Sequence, residues 1–75
     1  MPTIEITKEM ADDPIGLITL SGLIADAEEQ AKGESLTLVC RHPSAWKLLR
    51  AYDDTRHPSW RDGIDKKTRE LLGGA

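Results

Sequence analysis

Ser35-Leu36-Thr37-Leu38-Val39-Cys40 is a six-residue run dominated by β-forming side chains. Gly33 stands just before it, and Arg41-His42-Pro43 follows it. Its brevity and composition read as a strand. The fold follows from what flanks it on each side.

Upstream, the spacing predicts an amphipathic helix over 14–32. At about 100° per residue, Leu17, Leu20, Leu23, Ile24, Ala27 and Ala31 fall within about a third of the circumference, and Asp26, Glu28, Glu29 and Lys32 lie outside. Asp12 or Asp13 ahead of Pro14 gives a start signal, and Gly33 a stop. A rival reading makes Ile15–Leu20 a strand and starts the helix at Ser21, using Gly16 and Gly22. Earlier still, Thr3-Ile4-Glu5-Ile6-Thr7 alternates with Ile4 and Ile6 on one side, as a half-buried strand does. Lys8 to Asp13 reads as a polar connection. Strand, helix, strand implies two parallel strands joined by a right-handed crossover. Two parallel strands alone make a poor sheet. The pattern therefore asks for a further strand, or for extension by a second copy or a partner.

Downstream, Ala45, Leu48, Leu49 and Tyr52 are spaced i, i+3, i+4, i+7, which predicts a helix across roughly 43–53. Pro58 breaks it off from a third helix running to about Leu72, with Trp60, Ile64, Leu71 and Leu72 as apolar contacts. Gly73-Gly74-Ala75 reads as a frayed end. The expected architecture is α/β, with small α+β as the alternative. It is one domain over 1–75, ordered β-α-β-α-α around a short two-stranded sheet extended by self-association or a partner.

Seventy-five residues suffice for one domain and no more. Hydrophobic residues make up 39%, and the aromatics are two Trp, one Tyr and no Phe. So thin a core favours self-association or docking on a partner. The net charge of −3 argues for neither nucleic acid nor membrane, but its distribution is uneven. Residues 1–40, the βαβ unit, hold two basic and eight acidic side chains, net −6; residues 41–75, the helical pair, hold eight and five, net +3. This implies two electrostatically different faces. A single Cys40 excludes an internal disulfide and fits a reducing, cytoplasmic setting. No secretion signal is read at the N-terminus. The most apolar run, Ile15 to Ala25, is far short of the about 20 residues that cross a membrane. A soluble cytoplasmic protein is expected.

The motif that stands out is Arg-His-Pro-Ser, at 41–44 and again fifteen residues later at 56–59, each copy followed closely by a Trp. In the structural reading each Pro sits in the first turn of a helix, and Ser or His satisfies its free N–H groups. In the functional reading each copy is an anion site built from Arg41, His42 and Ser44, or from Arg56, His57 and Ser59, on a helix N-terminus. Trp46, Tyr52 and Trp60 interleave with Arg50, Arg56 and Arg61. Rings and guanidinium groups in that mixture anchor protein contacts or stack bases. Cys40, His42, His57 and Asp53 lack the paired spacing of a zinc site, so no metal or other cofactor is expected. A Cys40–imidazole nucleophile would need a cleft that a chain this size rarely supplies. Asp53-Asp54, flanked by Arg50 and Arg56, reads as a charge-stabilised turn.

These observations converge on a small non-enzymatic interaction module. Adaptors and stoichiometric inhibitors, including those made by phages, are built on this scale. It would dock on a larger protein through the 41–61 surface, using Trp46, Arg50, Tyr52, Arg56, Trp60 and Arg61. The alternatives are nucleic-acid binding by the basic half and a self-assembling subunit such as a homodimer. The acidic half disfavours the first of these, since it would repel a polyanion.

Overall fold

The computed structural model describes residues 2–73. Strand β1 (Thr3–Ile6) leads into a short helix α1 (Lys8–Asp12), then the long helix α2 (Gly16–Ala31) and strand β2 (Thr37–Cys40). Helix α3 (Pro43–Asp54), a 3-10 helix (Pro58–Gly63) and helix α4 (Lys66–Gly73) complete the chain. The strands pair in parallel, with Thr3 opposite Thr37 and Ile6 opposite Cys40. The result is a small α+β domain built on one βαβ unit. Its 11.4 Å radius of gyration matches the roughly 11 Å expected of a compact chain this long. Among the described residues, no helix is long and apolar enough to cross a membrane.

The alternation in β1 buries Ile4 and Ile6 and exposes Thr3 and Glu5. Leu38 lies on the same face as Ile4, and the three join Leu20, Ile24, Ala45 and Leu49 in a single core. Each of the Leu and Ile side chains contributes about 1.5–3 kcal/mol by leaving water. The helical stripe of α2 is narrower than its sequence suggests: Leu20, Ile24 and Ala31 are buried, whereas Leu23 is exposed. Lys32 and Gly33 both take positive φ, 49° and 97°, and end that helix in the left-handed turn expected at Gly33.

Three segments differ from the sequence reading. Lys8 to Asp12 is helix, not connection, because the Thr7 hydroxyl accepts the Met10 N–H at 3.2 Å and nucleates a turn. Helix α2 therefore begins at Gly16 rather than Pro14, and the strand reading of 15–20 does not apply. Asp13 still helps, its carboxylate accepting the Ile15 N–H at 2.9 Å.

The third segment is 58–72, which is not one helix. After the 3-10 turn, Ile64 forms a parallel bridge with Leu36. Leu36 N–H donates to the Gly63 carbonyl at 2.8 Å, and Asp65 N–H to the Leu36 carbonyl at 2.7 Å. The further strand that the sheet called for is thus supplied, one residue long, by the chain itself. Gly73 closes α4; Gly74 and Ala75, the rest of the expected frayed end, lie outside the described residues.

Candidate functional site

The Arg-His-Pro-Ser copies are helix starts. His42 is the N-cap of α3 and His57 that of the 3-10 helix, with Pro43 and Pro58 in the first turn. In each, the imidazole Nδ1 accepts the N–H of the Ser two residues on, Ser44 or Ser59, at 3.1 Å. The Ser59 hydroxyl also lies 2.9 Å from His57 Nδ1. Both rings are thereby turned back onto their own backbone. Arg41 is exposed and 3.7 Å from Glu5, a loose contact between solvated groups that is worth little.

The aromatic and basic residues between the copies come together, but inward. Tyr52 and Trp60 are only 2% and 5% exposed, their rings edge to face at 5.2 Å. Asp53, 8% exposed, sits at their centre. Its Oδ1 accepts the Trp60 indole N–H at 2.7 Å and Arg61 Nε–H at 2.9 Å, and Oδ2 accepts from Arg61 Nη2. The Arg61 hydrogen bond, the largest influence, holds this carboxyl below its usual range against the cost of burial. Arg56 lies over both rings, 5.8 and 5.6 Å from their centroids, and donates to the Tyr52 hydroxyl. Its two terminal nitrogens reach Glu28 of α2 at 3.1 and 3.3 Å. Glu28, Arg56, Tyr52, Trp60, Asp53 and Arg61 form one clamp joining α2, α3 and the 3-10 helix. Four of the six expected contact residues are spent in it: Tyr52 and Trp60 are core, and Arg56 and Arg61 are paired within the chain. Asp53 is no simple turn residue, as it bonds Trp60 and Arg61 rather than the flanking Arg50.

Trp46 and Arg50 remain. Trp46 is half-buried and lines a groove of about 450 Å³ beside β2, while Arg50 is exposed on α3. Thr37 to Arg41, Asp65, Lys67, Thr68 and Leu71 form the rest of the groove's wall. Lys67 is exposed and Leu71 is 45% exposed, so the walls carry both charge and apolar surface. The floor is rigid. Asp65 Oδ1 accepts the Leu38 N–H at 3.0 Å, and Oδ2 accepts the Thr68 N–H at 3.0 Å and its hydroxyl at 2.9 Å. Burial opposes ionisation of Asp65, but these hydrogen bonds outweigh it and hold the carboxyl low. Asp65-x-x-Thr68 was a legible helix-start signal; Lys67 and Leu71 carry none, since nothing local ties them to β2.

Burial, and then the neighbouring Asp65 charge, pushes the Cys40 thiol up to about 11, so it is protonated at neutral pH and a weak nucleophile. Neither imidazole is bonded to it. Among the described residues no three His, Cys, Asp or Glu side chains converge as metal ligands would. The chain matches no family model, and no curated protein or solved structure is significantly similar to it.

Proposed function

We propose that the chain is a non-enzymatic interaction module, an adaptor or stoichiometric inhibitor, that docks on a larger protein through the groove between β2, Trp46 and α4. The observation that carries this reading is the groove's lining: a half-buried tryptophan, an exposed leucine and two accessible cations over a hydrogen-bonded floor. Tryptophan and arginine, as at Trp46 and Arg41, are the anchors that most often dominate interface energies. The docking surface is accordingly a shifted version of the 41–61 surface. It keeps Arg41 and Trp46, has Arg50 one turn away, and adds Lys67 and Leu71. A protonated, half-buried thiol and two self-capping imidazoles favour binding over catalysis. The lone thiol also fits a reducing, cytoplasmic setting.

Affinity capture tests this directly. Immobilised wild type is compared with a groove variant, Trp46→Ala with Leu71→Ser, and with Glu29→Gln on the exposed side of α2. A partner held by wild type and Glu29→Gln but lost by the groove variant is the expected result. Identical capture by all three would sink the reading, provided circular dichroism shows each variant folded.

A further inference from the structure

Resting on that docking reading, we propose that the groove's occupant is an extended, acidic segment of the partner, laid against the open end of β2. In a parallel ladder, successive residues turn their N–H and C=O groups to opposite edges. Thr37 N–H donates to the Pro2 carbonyl, so Thr37 and Val39 face β1, while Leu36, Leu38 and Cys40 face the outer edge.

The chain satisfies that outer edge stepwise. Leu36 bonds the backbone on either side of Ile64. Leu38 N–H bonds the Asp65 carboxylate, and the Thr68 hydroxyl, whose one proton goes to Asp65 at 2.9 Å, lies 3.4 Å from the Leu38 carbonyl and covers it. Side chains of Asp65 and Thr68 thus stand in for a neighbouring strand. The substitution stops one position short of Cys40, whose N–H and C=O face the groove and bond nothing among the described residues. An extended peptide supplies both missing partners from a single residue, the way an added strand does.

Charge selects the peptide. Arg41 and Lys67 stand on the groove walls, with Lys47 and Arg50 exposed along α3. Lys67, Lys47 and Arg50 have no ion-pair partner among the described residues. Asp65 keeps its charge on the floor with its oxygens turned to three neutral donors, and Glu5 lies 3.7 Å from Arg41. A chain of net charge −3 nevertheless keeps Lys67 on the groove wall and Lys47 and Arg50 on α3 as unpaired cations, complementary to carboxylates. Trp46 and Leu71 add an apolar contact for one aliphatic side chain. Nucleic acid fits less well. Tyr52 and Trp60, the rings that would stack bases alongside Trp46, are buried in the clamp.

The probe is a fluorescein-labelled pentapeptide of four glutamates around a central leucine, followed by fluorescence anisotropy. Controls replace the glutamates by glutamine, N-methylate the leucine, or use an oligothymidylate. Wild type should bind the acidic peptide about fivefold or more tighter than the glutamine peptide, and Lys67→Glu should remove that preference. N-methylation should weaken binding without changing charge. Equal affinity for the acidic and glutamine peptides, no saturable binding, or tighter binding of the oligothymidylate would each overturn the proposal. A partner captured through the groove whose binding ignores Lys67→Glu would overturn the acidic segment yet leave the docking surface standing. Loss of groove-dependent capture removes both.

Discussion

At the residue scale, Asp53 matters most. Its carboxylate serves both a buried indole and a guanidinium. Asp53→Ala leaves the Trp60 N–H buried without an acceptor, a loss of about 1–3 kcal/mol. That is a large fraction of the few kcal/mol available to so small a domain. Arg61, at the surface, finds water instead. Urea denaturation should show the midpoint falling sharply in Asp53→Ala, and less in Asp53→Asn, whose amide oxygen still accepts from the indole. The pH dependence follows from the same bond. The Asp53 carboxyl titrates below its ordinary 3.8 in the folded chain, so its contribution is complete above that value and lost as pH falls through the folded one. The wild-type acid limb should therefore steepen below about pH 4, and Asp53→Asn should flatten it. None of this was legible in the sequence. Composition shows that the aromatics and arginines cluster, but not that Glu28, 28 residues before Arg56, and Asp53 consume them. Clustering along the chain does not show which way the side chains face, and Tyr52 and Trp60 face inward.

At the element scale, legibility tracks how local the determining interactions are. Strand β2, helix α3 and the helix starts at Pro43 and Pro58 are fixed by period and by residues within a turn of them, and the sequence reading found them. Helix α1 escaped because five residues show no apolar period; it rests on a hydroxyl cap, the partly buried Met10 and its packing against α2 and α3. The bridge at Ile64 escaped because its partner, Leu36, is remote in sequence. Gly16 shows how tightly α1 and α2 are joined. A Cβ there would lie 1.9 Å from the Met10 carbonyl oxygen, so Gly16→Ala forces the backbone at this junction to shift, and separation of the two helices is the expected form of that shift. The expected cost is about 1–3 kcal/mol. Hydrogen exchange should quicken in α1 while β2 stays protected. Unchanged protection throughout would mean the helix ends adjust without separating.

At the scale of the whole molecule, the split of charge between the two halves acquires a structural meaning. The clamp ties the acidic half to the basic half through Glu28 and Arg56, and Glu5 approaches Arg41. Of the cations on the basic side, Arg41 and Lys67, the latter unpaired among the described residues, line one groove at the open end of a two-stranded sheet. The sheet that looked too small to stand alone is completed on its outer edge by the bridge at Ile64 and by Asp65 and Thr68, up to its last residue. The account's central claim is that this last position, not the buried aromatic cluster, is where a partner binds. A proton–nitrogen correlation spectrum, titrated with the glutamate–leucine peptide, tests it most directly, because it separates the two indoles. The Cys40 amide and the Trp46 indole should shift together while the Trp60 indole, held by Asp53, stays fixed. Movement of the Trp60 signal with Cys40 and Trp46 unchanged would contradict the account.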